Sequence, residues 1–211
     1  ILENNIYHGE VYDARLEKLG WDTPEYSKKY REELNTDWKD PLLADPPGGV
    51  IVSQIIEPIK VVQEIKPVGV NNPKPNIYVY DLGQNIAGWV RIKVDGQWGD
   101  EVKIKYAEIL YDDGTVNQEN LVGARATDVY ILRGDGVETY EPRFTYHGFR
   151  YVQIELSSSS IGVEDVVGRV VRSSVECIGD FSCSNELLNQ IHRNVVWTES
   201  NNLHSVPTDC P

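Results

Sequence analysis

Regular alternation of apolar and polar residues is the feature that most restricts the fold of this chain. The segments VRIKVDG (residues 90–96) and EVKIKYAEIL (residues 101–110) both alternate apolar with charged or polar residues. A period of two is typical of a strand with one face in the core and one in water. Further β-rich runs are separated by turn sequences such as NNPKPN, DGQWGD and SSSSIG. Many short strands with no helical period between them predict a mainly β fold, an antiparallel, jelly-roll-like β-sandwich over residues 50–173.

Two changes in the sequence pattern divide the chain into three segments. The Pro-Gly cluster at residues 46–49 closes a charged N-terminal block, which predicts a boundary after residue 49. Beyond Phe181, apolar residues recur at helical spacing and predict an amphipathic helix over residues 185–202, with Ser184 as its N-cap. Residues 174–211 are therefore predicted to be a linker and a helix outside the sandwich.

A single amphipathic helix cannot bury its apolar face alone. It either packs on the sandwich or begins a helical domain that lies past residue 211. The chain does not begin with methionine and contains none, so we expect a piece of a longer protein. We also expect residues 185–202 to expose an apolar stripe, which would favour self-association.

Charge and cysteine content exclude several classes of partner. The net charge is −13, with 20 Lys+Arg against 33 Asp+Glu, which argues against a nucleic-acid partner. No apolar run approaches the roughly 20 residues of a membrane span, so no membrane partner is expected. The three cysteines, Cys177, Cys183 and Cys210, lack the spacing of a disulfide framework or zinc site. We expect free thiols, no metal and no cofactor, and a reducing compartment, which favours the cytoplasm over secretion.

An aromatic cluster in YEPRFTYHGFRYVQI (residues 140–154) has two interpretations. Aromatic side chains on a β-sandwich can stack on sugars. Alternation sends neighbouring residues to opposite faces, however, so these rings cannot all line one groove. We favour core aromatics, with Arg143 and Arg150 buried in a polar network.

A second cluster of polar and aromatic residues, in YDLGQNIAGWVRI (residues 80–92), also has two interpretations. The amides of Gln84 and Asn85 next to Trp89 could bind and stack on a sugar. We favour amides that cap backbone groups at a turn or bulge, which Gly83 and Gly88 would permit.

The C-terminal HSVPTDCP contains the residue types of a catalytic triad, His204, Ser205 and Asp209. They lie within six positions, whereas a triad is normally assembled from separate segments, so we do not assign one. Taken alone, Asp209 lies between two prolines and is typical of an irregular loop. The RGD at residues 133–135 is interpreted as a hairpin loop and not as an adhesion motif.

Longer motifs occur in a fixed order: GEVYDARLEKLGWD, YDLGQNIAGWVRIKVDG, YAEILYDDG, TDVYILRGDGVETYEPRFTYHGFRYVQI, GDFSCSNELLNQIHRNVVW and SVPTDCP. Together they resemble the bacterial α-L-rhamnosidases, inverting glycoside hydrolases of family 78, over essentially the whole chain. The resemblance implies that residues 1–49 are the C-terminal part of an N-terminal β-module. It implies that residues 50–173 form a β-sandwich and that residues 174–211 begin an (α/α)6-barrel catalytic domain.

The resemblance also implies a function and one site residue. The parent protein would hydrolyse terminal α-L-rhamnosyl residues from rhamnose-containing glycosides. Asp209 occupies the Asp position of the family's PTDCP motif, which holds substrate hydroxyls. No catalytic residue is expected in this chain, because the family's general acid and general base would lie beyond Pro211. The alternative is a non-catalytic carbohydrate-binding or scaffolding β-sandwich, based on Trp89 and residues 146–151.

Overall fold

The computed structural model describes residues 1–26 and 41–208. The chain separates into two compact units, one of Ile1–Arg15 with Ile56–Pro211 and the other of Leu16–Ile55. Within the second unit, residues 41–55 form neither helix nor strand, and side chains such as Leu43 and Ile51 are fully exposed. The strands described below belong to the first unit.

The first unit is mainly β, as the alternation predicts. Its strands are β1 (Glu3–Asn5), β2 (Gly9–Asp13), β3 (Ile59–Ile65), β4 (Gly69–Lys74), β5 (Ile77–Asp95), β6 (Glu101–Ala107), β7 (Ile109–Leu110), β8 (Val116–Asn117), β9 (Thr127–Ile131), β10 (Glu138–Tyr140), β11 (His147–Leu156), β12 (Gly162–Ser173), β13 (Leu203–His204) and β14 (Val206–Pro207). The α-helix α1 (Glu186–Asn201) precedes β13.

Ten strands form one curled sheet in the order β1-β2-β9-β6-β11-β5-β12-β3, and β4 and β10 also pair with β5. The long strand β5 runs through both halves of this sheet. Its first half pairs with β4 and β11, and its second half pairs with β10 and β12. The β2–β9 pair is parallel, while every other pair in the described part of the sheet is antiparallel. The antiparallel pairing predicted for residues 50–173 is confirmed among the described strands, because the parallel pair involves β2, which lies outside that range.

Gly88 allows β5 to pass from one half of the sheet to the other. Its φ is +152°, and a Cβ atom at this position would lie 1.9 Å from the backbone oxygen of Arg169. Of the turn or bulge predicted around Gly83 and Gly88, the bulge is confirmed, because β5 continues through both glycines and carries extra residues around Gly83. Between Asp81 and Ile86, β5 has four residues where the facing strand β11 has one, Arg150, so the extra residues of the bulge lie in β5 around Gly83.

The core lies between the two halves of the sheet. The predicted inward faces of two segments are confirmed, since their apolar residues are fully buried: Val90, Ile92, Val94, Val102, Ile104 and Tyr106. Tyr106 meets Phe149 edge to face, with ring centroids 4.7 Å apart. Such a pair contributes about 1 kcal/mol beyond the burial of its area.

Helix α1 starts one residue later than predicted. Its N-cap is Asn185, whose side chain accepts a hydrogen bond from the Leu187 N–H at 3.0 Å, so the assignment to Ser184 is wrong. Asn and Ser are nearly equal as N-caps, so residue preference could not choose between these neighbours. The expected apolar stripe is exposed: Leu187, Ile191 and Val195 show 68%, 49% and 58% of their surface. No helix in the described ranges is long and apolar enough to cross a membrane.

Candidate functional site

The predicted substrate-binding residue, Asp209, lies outside the described residues, as do Cys210 and Pro211. The structure does describe the segment that leads to Asp209, up to Thr208. This segment consists of the end of α1 and the β13–β14 hairpin. Its attachment to the sheet determines where the PTDCP motif begins.

Asn201 attaches the end of α1 to the sheet. Its side-chain oxygen accepts a hydrogen bond from the backbone N–H of Ala87 at 3.2 Å, and its Nδ2 donates to the carbonyl of Asn85 at 3.2 Å. The residue is 8% exposed, so both bonds are shielded from water. Beyond it, the backbone N–H of Thr208 donates to the Asn202 carbonyl at 2.7 Å, which folds residues 203–208 back against the end of the helix.

The β13–β14 hairpin makes two further contacts, one with the loop before β11 and one with β12. The ring of His204 stacks on Tyr146, with centroids 4.2 Å apart and an interplanar angle of 13°. The backbone N–H of Ser205 donates to the Ser173 hydroxyl at 2.8 Å. Ser205 itself has a φ of +74°, a left-handed conformation that reverses the chain between β13 and β14. The four residues that precede Asp209 are therefore attached to both the helix end and the sheet.

A cavity of about 370 Å³ lies beside this hairpin. Six of the side chains that line it are cationic or aromatic: Lys60, Trp89, Arg143, Phe144, Tyr146 and His204. The structure thus brings Trp89 and part of the aromatic cluster together, as the carbohydrate interpretation requires. Other rings of the same cluster lie in the core, since Tyr140 is 3% exposed and Phe149 is fully buried.

Burial is the main influence on the pKa of His204. The residue is 8% exposed, and neither ring nitrogen has a hydrogen-bond partner among the described residues. Desolvation lowers the pKa of His204, while a contact with the backbone of Val171 opposes the shift in part. Burial also raises the pKa of the neighbouring Tyr146 hydroxyl. Burial therefore favours the neutral form of both side chains.

The polar residues of the second cluster bind protein groups. Arg150 donates two hydrogen bonds of 2.8 Å to Asp81, and this pairing lowers the pKa of Asp81. The amide of Gln84 donates to the Asn85 carbonyl at 3.0 Å, and the amide of Asn85 donates to Glu108 at 2.6 Å. The favoured interpretation of these amides is confirmed for Gln84, which bonds to backbone.

Arg143 and Arg150 differ from the prediction of two buried arginines. Arg150 is half-buried and paired with Asp81, whereas Arg143 is exposed and lines the cavity. The segment PRFT around Arg143 lies between β10 and β11, so strand alternation does not determine its orientation.

A buried polar cluster was missed by the sequence reasoning. Asp128 is fully buried and accepts hydrogen bonds from the Tyr106 hydroxyl at 2.7 Å and the Glu10 backbone N–H at 2.8 Å. Nε2 of His147 lies 3.3 Å from each oxygen of Asp128. Burial, and then the Asp128 charge, raise the pKa of Tyr106 well above its usual value. The cluster is closed to solvent and joins β2 to β6 and β9. The sequence could have indicated this cluster through Asp128. This charged residue lies in TDVYI (residues 127–131), at a position that alternation places on the same inward face as Tyr130.

Other predicted site properties concern cysteines and metals. Cys177 and Cys183 are free thiols, and Cys210 lies outside the described residues. Within residues 1–26 and 41–208, no group of three His, Cys, Asp or Glu side chains could hold a metal ion.

Three family models match the chain consecutively. The α-L-rhamnosidase N-terminal domain matches residues 1–63, the bacterial α-L-rhamnosidase concanavalin-like domain matches residues 71–172, and the bacterial α-L-rhamnosidase 6 hairpin glycosidase domain matches residues 176–211. The chain belongs to the bacterial α-L-rhamnosidase family. Within this family, β4–β12 correspond to the concanavalin-like domain, and α1 with the β13–β14 hairpin falls in the part that matches the glycosidase domain.

Individual α-L-rhamnosidases are similar in sequence to this chain over its whole length. One from Streptomyces avermitilis is 41% identical over 211 residues, which is 100% of this chain and 20% of that protein. One from Formosa agariphila is 33% identical over 216 residues, covering 100% of this chain and 22% of that protein. The chain spans about a fifth of the length of these relatives.

Solved α-L-rhamnosidase structures also match. The enzyme from Dictyoglumus thermophilum superposes with a TM-score of 0.89 at 48% identity, covering 99% of this chain and 23% of that one. The Streptomyces avermitilis enzyme, solved in complex with L-rhamnose, superposes with a TM-score of 0.83 at 38% identity, covering 99% of this chain and 20% of that one. The curled sheet and the following helix are therefore shared with these α-L-rhamnosidases.

Proposed function

We propose that this chain is part of an inverting α-L-rhamnosidase that removes terminal α-L-rhamnosyl residues from glycosides. The observation that carries the proposal is the order of the three family matches, the last of which includes α1 and the segment before Asp209. One similar structure holds L-rhamnose, which supports rhamnose-containing glycosides as substrates. In this proposal, residues 1–49 are the end of an N-terminal module and residues 50–173 are the sandwich. Residues 174–211 are the start of the catalytic barrel.

Inverting hydrolysis requires two carboxyl groups on opposite faces of the sugar, about 6.5–9.5 Å apart, with room for the attacking water. The carboxylates buried in the described part of the chain, Glu10, Asp13, Asp128 and Glu138, are already engaged by protein groups. Asp128 and Glu138, for example, are buried and occupied by bonds from tyrosines and backbone N–H groups. The general acid and general base are therefore proposed to come from residues outside this chain.

The contribution of this chain is proposed to be positional. Asn201, the His204–Tyr146 stack and the Ser205–Ser173 bond attach the segment before Asp209 to the sheet. A carboxylate held at a fixed position suits sugar hydroxyls, because a charged acceptor makes the stronger hydrogen bond. Asp209 would thus orient the rhamnosyl ring for attack by groups elsewhere in the protein.

Hydrolysis of 4-nitrophenyl α-L-rhamnoside by the intact protein tests the proposal. Asp209→Asn should lower kcat/KM by about 10- to 100-fold, since a hydrogen bond to a charged group contributes about 1.5–3 kcal/mol. Asp135→Asn, a change at a mostly exposed carboxylate, should leave kcat/KM unchanged. NMR of the first product should show the β-anomer of L-rhamnose.

Each outcome decides a separate part of the proposal. Absence of rhamnoside hydrolysis by the wild-type protein would overturn the activity. A first product with the α-configuration would overturn inversion. An unchanged kcat/KM in Asp209→Asn would remove Asp209 from the substrate site.

A further inference from the structure

The charges around the cavity beside the β13–β14 hairpin are unusual for this protein. The chain has a net charge of −13, yet no Asp or Glu is among the described residues that line the cavity. The charged side chains in the lining are Lys60 and Arg143, and both are cationic. The cavity therefore favours a ligand that carries negative charge.

These two cations have no ion-pair partner within residues 1–26 and 41–208. Other arginines of the sheet are paired, such as Arg150 with Asp81 and Arg169 with Glu141. Glu141 cannot balance the cavity fully, because it already accepts the Trp89 indole N–H at 2.8 Å and pairs with Arg169. Lys60 and Arg143 thus remain available to a carboxylate.

The remaining lining suits the face of a ring. Trp89, Phe144 and Tyr146 lie together there, and Phe144 exposes 73% of its surface. The indole N–H of Trp89 is already bonded to Glu141, so Trp89 contributes its ring surface and no free donor. Aromatic rings present a flat apolar body with a specific geometry, which can pack on the C–H face of a sugar.

His204 gives an independent indication of a polar ligand. The side chain is 8% exposed and lines the cavity, and neither ring nitrogen makes a hydrogen bond of good geometry with the described residues, although one polar contact reaches the backbone of Val171. Buried polar atoms are normally hydrogen-bonded, and each unsatisfied one requires an explanation. A hydroxyl group in the cavity would supply the missing donor or acceptor after a small adjustment of the ring.

We propose that this cavity binds an acidic sugar, a hexuronate residue, with its carboxylate at Lys60 and Arg143 and its ring against Trp89, Phe144 and Tyr146. A volume of about 370 Å³ falls within the usual range for small-molecule sites, about 300–1,000 Å³. The proposal of hexuronate binding does not depend on the proposed rhamnoside hydrolysis.

Calorimetric titration of the intact protein tests the inference, with D-galacturonate and D-glucuronate as probes and D-galactose and D-glucose as their neutral counterparts. The wild-type protein should bind at least one hexuronate at least tenfold more tightly than its neutral counterpart. The double variant Lys60→Gln/Arg143→Gln should lose at least tenfold in affinity for that hexuronate. Phe144→Ala should weaken binding of the same hexuronate severalfold. It should have little effect on folding, because Phe144 is mostly exposed.

A matched control separates the site from general charge. Lys93→Gln/Arg125→Gln lowers the net charge by the same amount at two exposed residues outside the cavity lining, and should bind like the wild type. Equal binding of neutral and acidic sugars, or no binding of either hexuronate, would overturn the proposal. Equal losses in both double variants would also overturn it, by assigning the effect to net charge. Rhamnoside hydrolysis is measured separately, so failure of either proposal is distinguishable from failure of the other.

Discussion

The imidazole of His204 lies parallel to the phenol ring of Tyr146, with 4.2 Å between the ring centroids. This contact joins the hairpin before Asp209 to the loop before β11. It also holds a titratable ring that is 8% exposed and whose nitrogens make no hydrogen bond of good geometry with the described residues. The attachment of the hairpin to the sheet is therefore linked to pH.

The stability of the protein should fall as His204 is protonated. Burial lowers the pKa of His204 in the folded state, so between its unfolded and folded pKa the unfolded chain binds the proton more readily. Its contribution is complete above about pH 6.5 and is lost as the pH falls through the lower, folded pKa. Urea unfolding between pH 8 and pH 5 should show a smaller decrease in stability for His204→Phe than for the wild type. Tyr146→Phe keeps the stack and should retain the wild-type decrease; equal slopes for all three proteins would contradict the assignment.

Asn201 should be important for holding α1 against the sheet. Asn201→Ala removes an acceptor from the Ala87 N–H and a donor to the Asn85 carbonyl, both in a buried site. We expect a loss of about 1–3 kcal/mol in the free energy of unfolding, measured by urea denaturation. Asn194→Ala is the control on the same helix, since Asn194 is exposed and accepts a hydrogen bond from the side-chain amide of Gln190; it should cost less than about 0.5 kcal/mol. Similar losses in both variants would refute the anchoring role.

Gly88 should tolerate no side chain. In Gly88→Ala the new Cβ would lie 1.9 Å from the Arg169 backbone oxygen, so β5 or β12 would have to move apart. We expect a loss of more than about 3 kcal/mol or failure to fold, measured by thermal unfolding and by the yield of soluble protein. In Gly162→Ala the Cβ would meet nothing closer than 4.0 Å, so this variant should fold normally. A stable Gly88→Ala protein would mean that the bend in β5 does not depend on glycine.

Local patterns predicted much of this fold, and the limits of those patterns are physical. Alternation identified the inward faces of β5 and β6 because side-chain direction in a strand has a period of two. It could not show that one strand serves both halves of the sheet, since the bend at Gly88 depends on the backbone of a residue 81 positions away, Arg169. The parallel pairing of β2 with β9 is equally non-local.

The site was less predictable than the fold. Asp209 came from a resemblance and lies outside the described residues, so its role stays a prediction. The aromatic cluster was ambiguous because its members separate in space: Phe149 is in the core, while Phe144 and Tyr146 line the cavity. The segment between β10 and β11 has no period, so only the folded structure could place Arg143 beside Lys60 and Trp89.

The apolar stripe of α1 should make this chain associate with itself. Leu187, Ile191 and Val195 recur on one face and are each about half exposed or more, and exposed apolar patches favour association. Sedimentation velocity of the 211-residue chain should show a weight-average mass that rises with concentration. Ile191→Glu with Val195→Lys should shift the protein to monomer without changing its net charge. Gln190→Glu with Asn194→Lys makes the same change in charge at neighbouring polar positions and should associate like the wild type. A strict monomer at every concentration would refute the prediction, and association that persists in the first variant would assign it to another surface.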